Sequence, residues 1–439
     1  MICAKAKTLQ ARDAYIHKDT SSSFMPPALT TRSQASVTTP KKSLPMGYRI
    51  LVVEDHPILL ASTIAMLEAS GCDFVKGAKD GSEALRLLSE QVYDLVISDL
   101  HMPNVDGVQL IESLPIEDQS RPALAIISSD SPQILSSASH AAKARGLSVL
   151  GAYQKPFLKE TADALLLALE KRTLNPQPPK LYSSADILLK ALEDQEIQAW
   201  FQPKYCLMQQ RIVGVEALSR WQHPQLGLLL PQSFLPDIHR EGLHEQQLWA
   251  ILKQSITAQR YWKTLGHDIP VSVNLHTKLL DDRSLPSRLH KFVTNMEASP
   301  ASICFELTES TTTVEKSSYY SGAARLRMMQ FGLSQDDFGT GYSSFHRLIA
   351  TPFTELKIDR SMVQNSPRQE AFRIALSSLI RLAKDLGLDV VAEGVETYEE
   401  LALLRSLNCD VIQGFLVSPA VDMHALGALL ESKETLLLE

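Results

Sequence analysis

The stretch GLSQDDF, Gly332–Phe338, decides the fold of the C-terminal half of this 439-residue chain. It starts as a short apolar strand and ends in two adjacent carboxylates, Asp336 and Asp337, just before Gly339 and Gly341. Seven further apolar stretches occur after residue 181, with helical stretches between them, and they are AWFQP, IVGVEAL, VSVNL, ICFELTE, ELKID, DVVAEGV and VIQGFLV. Eight strands in about 250 residues predict a closed, TIM-like (β/α)₈ barrel.

The N-terminal half alternates strands with amphipathic helices in the same way, but it has fewer strands. The strand candidates between residues 48 and 172 are RILVV, DFVKG, DLVIS, ALAII and SVLGAY. Regular alternation of strand and helix predicts a parallel, doubly wound sheet of the flavodoxin type. The chain as a whole is therefore predicted to be an α/β protein.

Composition sets the boundaries between these parts. Residues 1–47 are rich in Ser, Thr and Pro and have too little apolar periodicity for a core, so we expect a disordered tail. Residues 173–182 include TLNPQPPK, whose three prolines indicate a linker. The predicted domains are residues 48–172 and residues 183–439.

Charge and cysteine usage narrow the functional classes. A formal charge of −7 and a pI near 6.0 give no electrostatic footprint for nucleic acid. The five cysteines include no C-x-x-C pair, which fits a reducing compartment. No apolar run approaches the roughly 20 residues of a membrane helix, and the start lacks the apolar core of a signal peptide. We expect a cytoplasmic protein with no membrane insertion and no nucleic-acid partner.

Three carboxylates end strands of the predicted doubly wound sheet. Glu54 and Asp55 follow the first strand and Asp99 follows the third. Ligands of such sheets lie beyond the carboxyl ends of the strands, and clustered carboxylates require a cation, which favours Mg²⁺. One carboxylate could then attack a phosphoryl group, whose oxygens Ser128 and Lys155 could contact. Taken singly, each residue has an ordinary role in a turn or helix cap, but their joint placement favours a site.

At these residues the chain resembles the receiver domain of response regulators. The matching motifs are LVVEDHP, DLVISDLHMPNVDG, IISSD and QKPF, within about residues 48–171. The resemblance implies that Asp99 accepts a phosphoryl group from a sensor histidine kinase or phosphotransfer protein. It also implies one Mg²⁺ held by Glu54, Asp55 and Asp99, and switching through Ser128 and Lys155. The family has an aromatic switch residue three positions before the lysine, where this chain has Ala152 with Tyr153 next.

Polar side chains end nearly every strand of the predicted barrel, where active sites of such barrels lie. In chain order they are Gln202, Glu216, Asn274, Glu306 with Glu309, Asp336 with Asp337, Lys357, Glu393 with Glu396, and Gln413. Hard oxygen donors without His or Cys favour Mg²⁺ or Mn²⁺. Adjacent aspartates, released from strand alternation by a glycine turn, could bridge two ions roughly 3.5–4 Å apart, as in two-metal phosphodiester hydrolysis.

This pattern assigns a role to each side chain. One ion would be held by Glu216, Asn274, Glu306 and Asp336, and the other mainly by Asp337. Glu393 would accept a proton from water, and Lys357 would orient that water or offset charge at phosphorus.

Other interpretations remain open at this point. Each residue alone could close a turn or begin a helix. An unrelated lyase or aldolase could use Lys357 as a Schiff base, but neighbouring carboxylates would keep its amine protonated. The twelve histidines show no ligand spacing and are left as surface or core residues.

Over about residues 183–433 the chain resembles the EAL-domain cyclic di-GMP phosphodiesterases. The matching motifs are FQP, EALSRW, SVNL, FELTES, DDFGTGYSS, LKIDRS, VVAEGVET and IQGFLVSP. The resemblance implies hydrolysis of cyclic di-GMP to linear 5'-pGpG with two Mg²⁺ or Mn²⁺ ions, Glu393 as general base and Lys357 beside the reacting water. The implied metal ligands are Glu216, Asn274, Glu306, Asp336 and Asp337.

The resemblance extends to residues outside the metal ligands. It implies substrate contacts from Gln202, Arg220, Glu396 and Gln413, and a loop-positioning role for Glu309. His239 stands where the family has a glutamate, and Gln335 where an apolar residue is common.

Together the two resemblances imply a response regulator that degrades cyclic di-GMP under control of Asp99. The alternative is a catalytically silent scaffold that binds cyclic di-GMP and signals through contacts. Barrels of this family commonly pair, so a homodimer or higher oligomer is expected.

Overall fold

The computed structural model describes residues 47–114, 122–174, 183–307, 316–339 and 345–432. These residues form two compact units that divide between residues 177 and 178, and each is described by itself. The domain limits predicted from composition stay predictions. The tail of residues 1–47 lies almost wholly outside the described residues, and so does most of the linker.

The first unit is a five-stranded sheet. Its strands are β1 (Arg49–Val53), β2 (Phe74–Ala78), β3 (Leu95–Asp99), β4 (Ala123–Ser128) and β5 (Val149–Gln154). They are all parallel and have the order β2-β1-β3-β4-β5. Its helices are α1 (Pro57–Ala69), α2 (Gly81–Glu90), α3 (Gly107–Ser113), α4 (Pro132–Ala144) and α5 (Lys159–Leu174). The flavodoxin-like fold predicted from the sequence is confirmed.

Both faces of this sheet are covered. Leu51 and Val53 belong to one buried apolar cluster, whereas their neighbours Ile50 and Val52 belong to another. Alternate residues of a strand point to opposite faces, so residues 50–53 of β1 are all apolar because helices pack on both sides. This arrangement leaves the carboxyl ends of the strands as the edge available to a ligand.

The second unit is an eight-stranded barrel with a short ninth strand at its edge. Its strands are β6 (Ile197–Cys206), β7 (Arg211–His223), β8 (Gly227–Leu229), β9 (Val271–Leu275), β10 (Ile303–Leu307), β11 (Gly332–Phe338), β12 (Glu355–Ile358), β13 (Asp389–Ala392) and β14 (Val411–Ile412). Pairing of β6 with both β7 and β14 closes the barrel.

Helices surround this barrel. They are α6 (Ala185–Glu193), α7 (Pro231–Arg240), α8 (His244–Thr264), α9 (Leu285–Asn295), α10 (Lys316–Met328), α11 (Phe345–Ala350), α12 (Arg360–Asn365), α13 (Glu370–Asp385), α14 (Tyr398–Ser406) and α15 (Met423–Glu431). Within the described ranges, we find no helix with the length and apolar character needed to cross a membrane.

The first barrel strand departs from simple alternation of strand and helix. β6 runs antiparallel to β7 and β14, whereas the other barrel strands pair in parallel apart from the short β8. Only residues 207–210 separate β6 from β7. A parallel neighbour needs a crossover of a dozen or more residues, so this short connection can only form a hairpin.

This geometry corrects two predicted strand ends. Gln202 and Glu216 were placed at the ends of strands, but both lie within long strands and are direct partners in the β6–β7 ladder.

The barrel interior is polar. In β10, Ile303, Phe305 and Leu307 pack in the apolar cluster between barrel and helices, whereas Glu306 between them is 0% exposed and contacts two lysines. Buried Lys204, Ser272 and Lys357 share this interior. TIM barrels usually fill this space with branched apolar side chains, so a charged interior indicates that function shapes it.

Candidate functional site

In the first unit, Lys155 joins two of the predicted acidic residues. Its Nζ atom lies 2.7 Å from Asp99 Oδ2 and 2.8 Å from Glu54 Oε2. Carboxylate oxygens of Glu54, Asp55 and Asp99 lie within 4.8 Å of one another, with Glu54 and Asp99 buried and Asp55 exposed. Burial raises the pKa of Glu54, and Lys155 only partly offsets this. Oxygen donors this close suit a cation such as Mg²⁺.

Ser128 has a partner that the sequence did not indicate. Its hydroxyl donates to Asp130 Oδ2 at 2.7 Å, and the His101 ring lies 3.0 Å from the Asp130 carboxylate. Hydrogen bonds from the Ser128 hydroxyl and from the His101 ring hold the pKa of Asp130 below its usual value. Asp130 follows Ser128 by two positions in IISSD, so adjacency to a strand end was the only available signal.

Two residues beside this site have tightly constrained surroundings. A side chain on Gly107 would place its Cβ atom 2.1 Å from the carbonyl oxygen of Asp99, so only glycine allows the loop after β3 to return to that strand. Tyr153 is half-buried against one apolar cluster, where burial raises its pKa, while Ala152 points to the exposed face.

The centre of the barrel site is a single ammonium group. Lys357 on β12 is 1% exposed, and its Nζ atom lies within 2.7–3.1 Å of four carboxylates, those of Glu393, Asp336, Glu306 and Glu216. Burial alone would lower its pKa, but the four carboxylates together raise it well above the usual value. An amine held in the ammonium form is a poor nucleophile, which argues against the Schiff-base interpretation.

The tandem aspartates are released from alternation by the backbone of Asp337 itself. Asp337 has φ +51°, in the left-handed region, and the β11–β12 register shifts between Gln335 and Phe338. A bulge of this kind re-aims side chains, so consecutive residues can face one site. Oxygens of Asp336, Asp337 and Glu393 accordingly lie within 4.8 Å of one another. The register shift therefore already includes Asp337, and Gly339 follows with φ +114°. The rest of the predicted glycine turn, with Gly341, lies outside the described residues.

The four carboxylates around Lys357, with Asp337 beside them, form what we call the carboxylate ring. Side-chain amides lie on the side of this ring where Glu216 is. Gln413 Nε2 donates to Glu216 Oε2 at 2.6 Å and to Gln202 Oε1 at 3.1 Å, and Asn274 Nδ2 donates to Glu216 Oε1 at 3.3 Å. Gln413 Oε1 is buried and has no hydrogen-bond partner within the described ranges. An acceptor left unsatisfied in a buried site is available to a ligand.

The carboxylates of this ring have different affinities for protons. Burial raises the pKa of Glu216 to about 7, and Glu306 adds to this. Burial and Asp336 raise the pKa of Asp337 to about 6. Burial would also raise the pKa of Glu306, but Lys357 and Lys204 keep it well below the usual value. Burial raises the pKa of Glu393 far above its usual value.

The remaining predicted residues differ in burial, and one of them falls outside the described ranges. Arg220 on β7 is half-buried, and burial lowers its pKa. Glu396 is exposed just before α14. Glu309 lies outside the described residues, so its predicted role stays a prediction. Gln335 is 2% exposed, and its Nε2 atom donates to the Asp336 carbonyl at 3.3 Å.

Three histidines of the second unit meet, although their sequence spacing gave no sign of it. The rings of His244 and His276 stack with centroids 3.9 Å apart, and the His239 ring lies 4.7 Å from that of His244. Burial lowers the pKa of all three, to about 4 in His244. They therefore pack as neutral aromatic rings at neutral pH. His276 follows Asn274 by two positions.

Comparison with known families assigns both units. The EAL domain model matches residues 185–420, and the response regulator receiver domain model matches residues 50–162. Cyclic di-GMP phosphodiesterase RocR of Pseudomonas aeruginosa is 33% identical over 384 residues, which span 86% of this chain and 97% of RocR. The bifunctional diguanylate cyclase/cyclic di-GMP phosphodiesterase MucR of the same organism is 35% identical over 231 residues, 52% of this chain and 34% of MucR.

Solved structures agree with this assignment. The MucR phosphodiesterase in complex with c-di-GMP has 34% identity and a TM-score of 0.51, and the match covers 54% of this chain and 97% of that one. The EAL enzyme Bd1971 in its cGMP-bound form has 25% identity and a TM-score of 0.53, covering 63% and 80%. With the EAL match on the barrel that carries the carboxylate ring, the chain belongs to the EAL-domain family, as a member with a response regulator receiver domain before the barrel.

Proposed function

We propose that the chain hydrolyses one phosphodiester bond of cyclic di-GMP to give linear 5'-pGpG. The observation that carries this proposal is the ring of four carboxylates around the Lys357 ammonium, with Asp337 beside it. Relatives that match the whole architecture or its barrel are named cyclic di-GMP phosphodiesterases, which gives the substrate class.

The residues of the ring fit two divalent cations. Five carboxylates surround Lys357, and the second nearby lysine, Lys204, contacts Glu306 among them, so the ring carries excess negative charge that cations would offset. Glu216, Asn274, Glu306, Asp336 and Asp337 would hold Mg²⁺ or Mn²⁺, and Glu393 lies close enough to Asp336 and Asp337 to share in binding. Bound cations would supply the positive charge that acidifies water and stabilises charge on the phosphoryl oxygens.

The protein's own groups have distinct tasks in this reaction. Glu393 is the proton acceptor, since its carboxylate lies beside those of Asp336 and Asp337 and its Oε1 atom is anchored 2.7 Å from Lys357 Nζ. Lys357 remains an ammonium throughout and orients the carboxylates that surround it. The left-handed backbone of Asp337 turns its side chain toward the same site as Asp336. Asp337 would therefore add a second carboxylate for cation binding.

Substrate contacts follow from the polar groups beside the ring. The side-chain amides of Gln202 and Gln413 are hydrogen-bonded to each other, and Gln413 also donates to Glu216. Arg220 lies on the same strand as Glu216. An arginine beside a phosphate gives a charge-assisted contact. Glu396, exposed before α14, can accept hydrogen bonds from the ligand.

The first unit would control this reaction through Asp99. A phosphoryl group from a histidine kinase or phosphotransfer protein would form a bond to a carboxylate oxygen of Asp99 as its P–N bond to the donor histidine breaks, with Mg²⁺ held by Glu54, Asp55 and Asp99. Lys155 would then pair with a phosphoryl oxygen, and Ser128 would have to leave Asp130 to contact another. We also propose a homodimer or larger oligomer in the cytoplasm.

Purified full chain incubated with cyclic di-GMP and Mg²⁺ tests the proposal when products are separated by chromatography. The expected result is 5'-pGpG with wild type and none with Glu393→Gln. Tight binding of cyclic di-GMP without any product would overturn hydrolysis and favour the silent scaffold. Light scattering of the same sample gives the oligomeric state.

A further inference from the structure

A second buried lysine, Lys204 on β6, contacts the carboxylate ring through Glu306. Its Nζ atom lies 3.0 Å from Glu306 Oε1, 2.8 Å from Glu355 Oε1 and 2.7 Å from Ser272 Oγ. A lysine ammonium has three donor protons, so these three contacts use all of them. The side chain is therefore held in one orientation inside the barrel.

Glu306 is fixed at both oxygens as a result. Lys204 contacts Oε1, whereas Lys357 contacts Oε2 at 2.9 Å, and Glu306 is 0% exposed. Lys357 is shared among four carboxylates, but the ion pairs of Lys204 within the described ranges are to Glu306 and Glu355. A cation bound by the ring would compete with Lys357 for Oε2 and leave the Lys204 contact intact.

The positive charge of Lys204 is largely balanced by Glu355. Glu355 lies 2.8 Å from its Nζ atom, so the two charges form a close pair. A close pair has a much weaker field at a distance than a single charge. Lys204 therefore repels a cation in the ring only weakly, while its direct contact with Glu306 is short.

We propose that Lys204 is a positioning residue of the metal site, which fixes Oε1 of Glu306 so that Oε2 faces the cation. This inference rests on the proposed function, because it requires a cation in the ring. Through Lys204, β6 would contribute to the metal site, a contribution that was not predicted from the sequence. Outer-shell partners of this kind typically contribute about 10–100-fold to metal affinity.

A neighbouring cavity makes a conservative replacement possible. A space of about 400 Å³ borders Lys204 and Glu355 and is also lined by Cys304, Gly332 and Thr354. An arginine at position 204 can extend into this space and still donate to Glu306. Lys204→Arg is therefore expected to restore most of what an uncharged side chain loses.

Mn²⁺ titration of the full chain, followed by the EPR signal of free Mn²⁺, tests the inference. All variants carry Asp55→Asn, which weakens the other acidic site. The key variant is Lys204→Met/Glu355→Gln, which removes one positive and one negative charge and leaves the net charge unchanged. Its Mn²⁺ affinity is expected to fall by about 10–100-fold, while Glu355→Gln alone and Lys204→Arg change it far less.

Two further measurements separate positioning from general damage. The thermal unfolding temperature at saturating Mn²⁺ should be close to that of Glu355→Gln, and the half-saturating Mn²⁺ for turnover should rise more than kcat falls. Equal Mn²⁺ affinity in the double variant and Glu355→Gln would overturn the role of Lys204. The Asp55→Asn chain and its Asp336→Asn derivative should differ in their Mn²⁺ titrations. Identical titrations would show that the carboxylate ring binds no Mn²⁺ and would instead overturn the proposed function.

Discussion

Replacing Lys357 by methionine should destabilise the cation-free barrel strongly. Methionine keeps the length of the side chain but removes the ammonium that lies within 2.7–3.1 Å of four carboxylates. Breaking one buried ion pair typically costs about 3–5 kcal/mol because the remaining charge is left unpaired. With 2–4 °C lost per kcal/mol in a domain of 150–250 residues, the barrel should unfold about 6–20 °C lower.

The assay is differential scanning calorimetry of the full chain at pH 8 with a chelator, repeated with saturating Mg²⁺. Mg²⁺ should narrow the gap between Lys357→Met and wild type, since cations can balance the carboxylates in place of the ammonium. Lys253→Met, at an exposed position of α8, is the matched control and should shift the transition little. A chelator-treated variant that unfolds at the temperature of this control would refute the reasoning.

Three other predictions follow from the same geometry. The stabilisation that Mg²⁺ gives to the barrel should grow as pH rises from about 4.5 to about 7. The pKa values of Glu216 and Asp337 are raised to about 7 and about 6, so protons compete with the cation for these carboxylates at lower pH. If the difference in unfolding temperature with and without Mg²⁺ did not change with pH, this prediction would be contradicted. Gly107→Ala should cost the first unit about 1–3 kcal/mol in denaturant unfolding, because its Cβ atom would lie 2.1 Å from a backbone oxygen; unchanged stability would show that the loop relaxes freely. Asp99→Asn should abolish any response of turnover to a phosphoryl donor that wild type shows, and a variant that still responds would remove Asp99 as the acceptor.

The strand ends of both units could be read from the sequence because a strand end is a local pattern. Apolar runs that stop at Asp99, Glu306 or Asp336 place each of those carboxylates at the ligand edge of its own sheet whatever the details of packing. In the first unit Asp99 lies beside Glu54 and Asp55, and in the second unit Glu306 and Asp336 both contact Lys357. The EAL and receiver motifs supported the same residues.

Features that depend on backbone direction were not predicted. Only four residues separate β6 from β7, and that length was the available sign of a hairpin. Treating β6 as a parallel strand directed attention to Gln202 and away from Lys204, two positions further along. The left-handed φ of Asp337 was likewise not predicted, because aspartate tolerates that region without any sequence marker.

Contacts between distant segments were also beyond reach. His101 contacts Asp130 across 29 positions of the chain, and three histidines from α7, α8 and the segment after β9 pack together. Such groupings depend on loop paths, which composition and periodicity do not specify.

The Mg²⁺ dependence of 5'-pGpG formation by the purified full chain tests the central claim most directly. Turnover of cyclic di-GMP should be absent with a chelator and return with Mg²⁺. Turnover of the Asp336→Asn variant should fall by at least about 10–100-fold. This is the loss typical of removing an outer-shell partner, and Asp336 is proposed to bind the cation directly. Equal turnover in chelator and in Mg²⁺, or a fully active Asp336→Asn variant, would contradict the account.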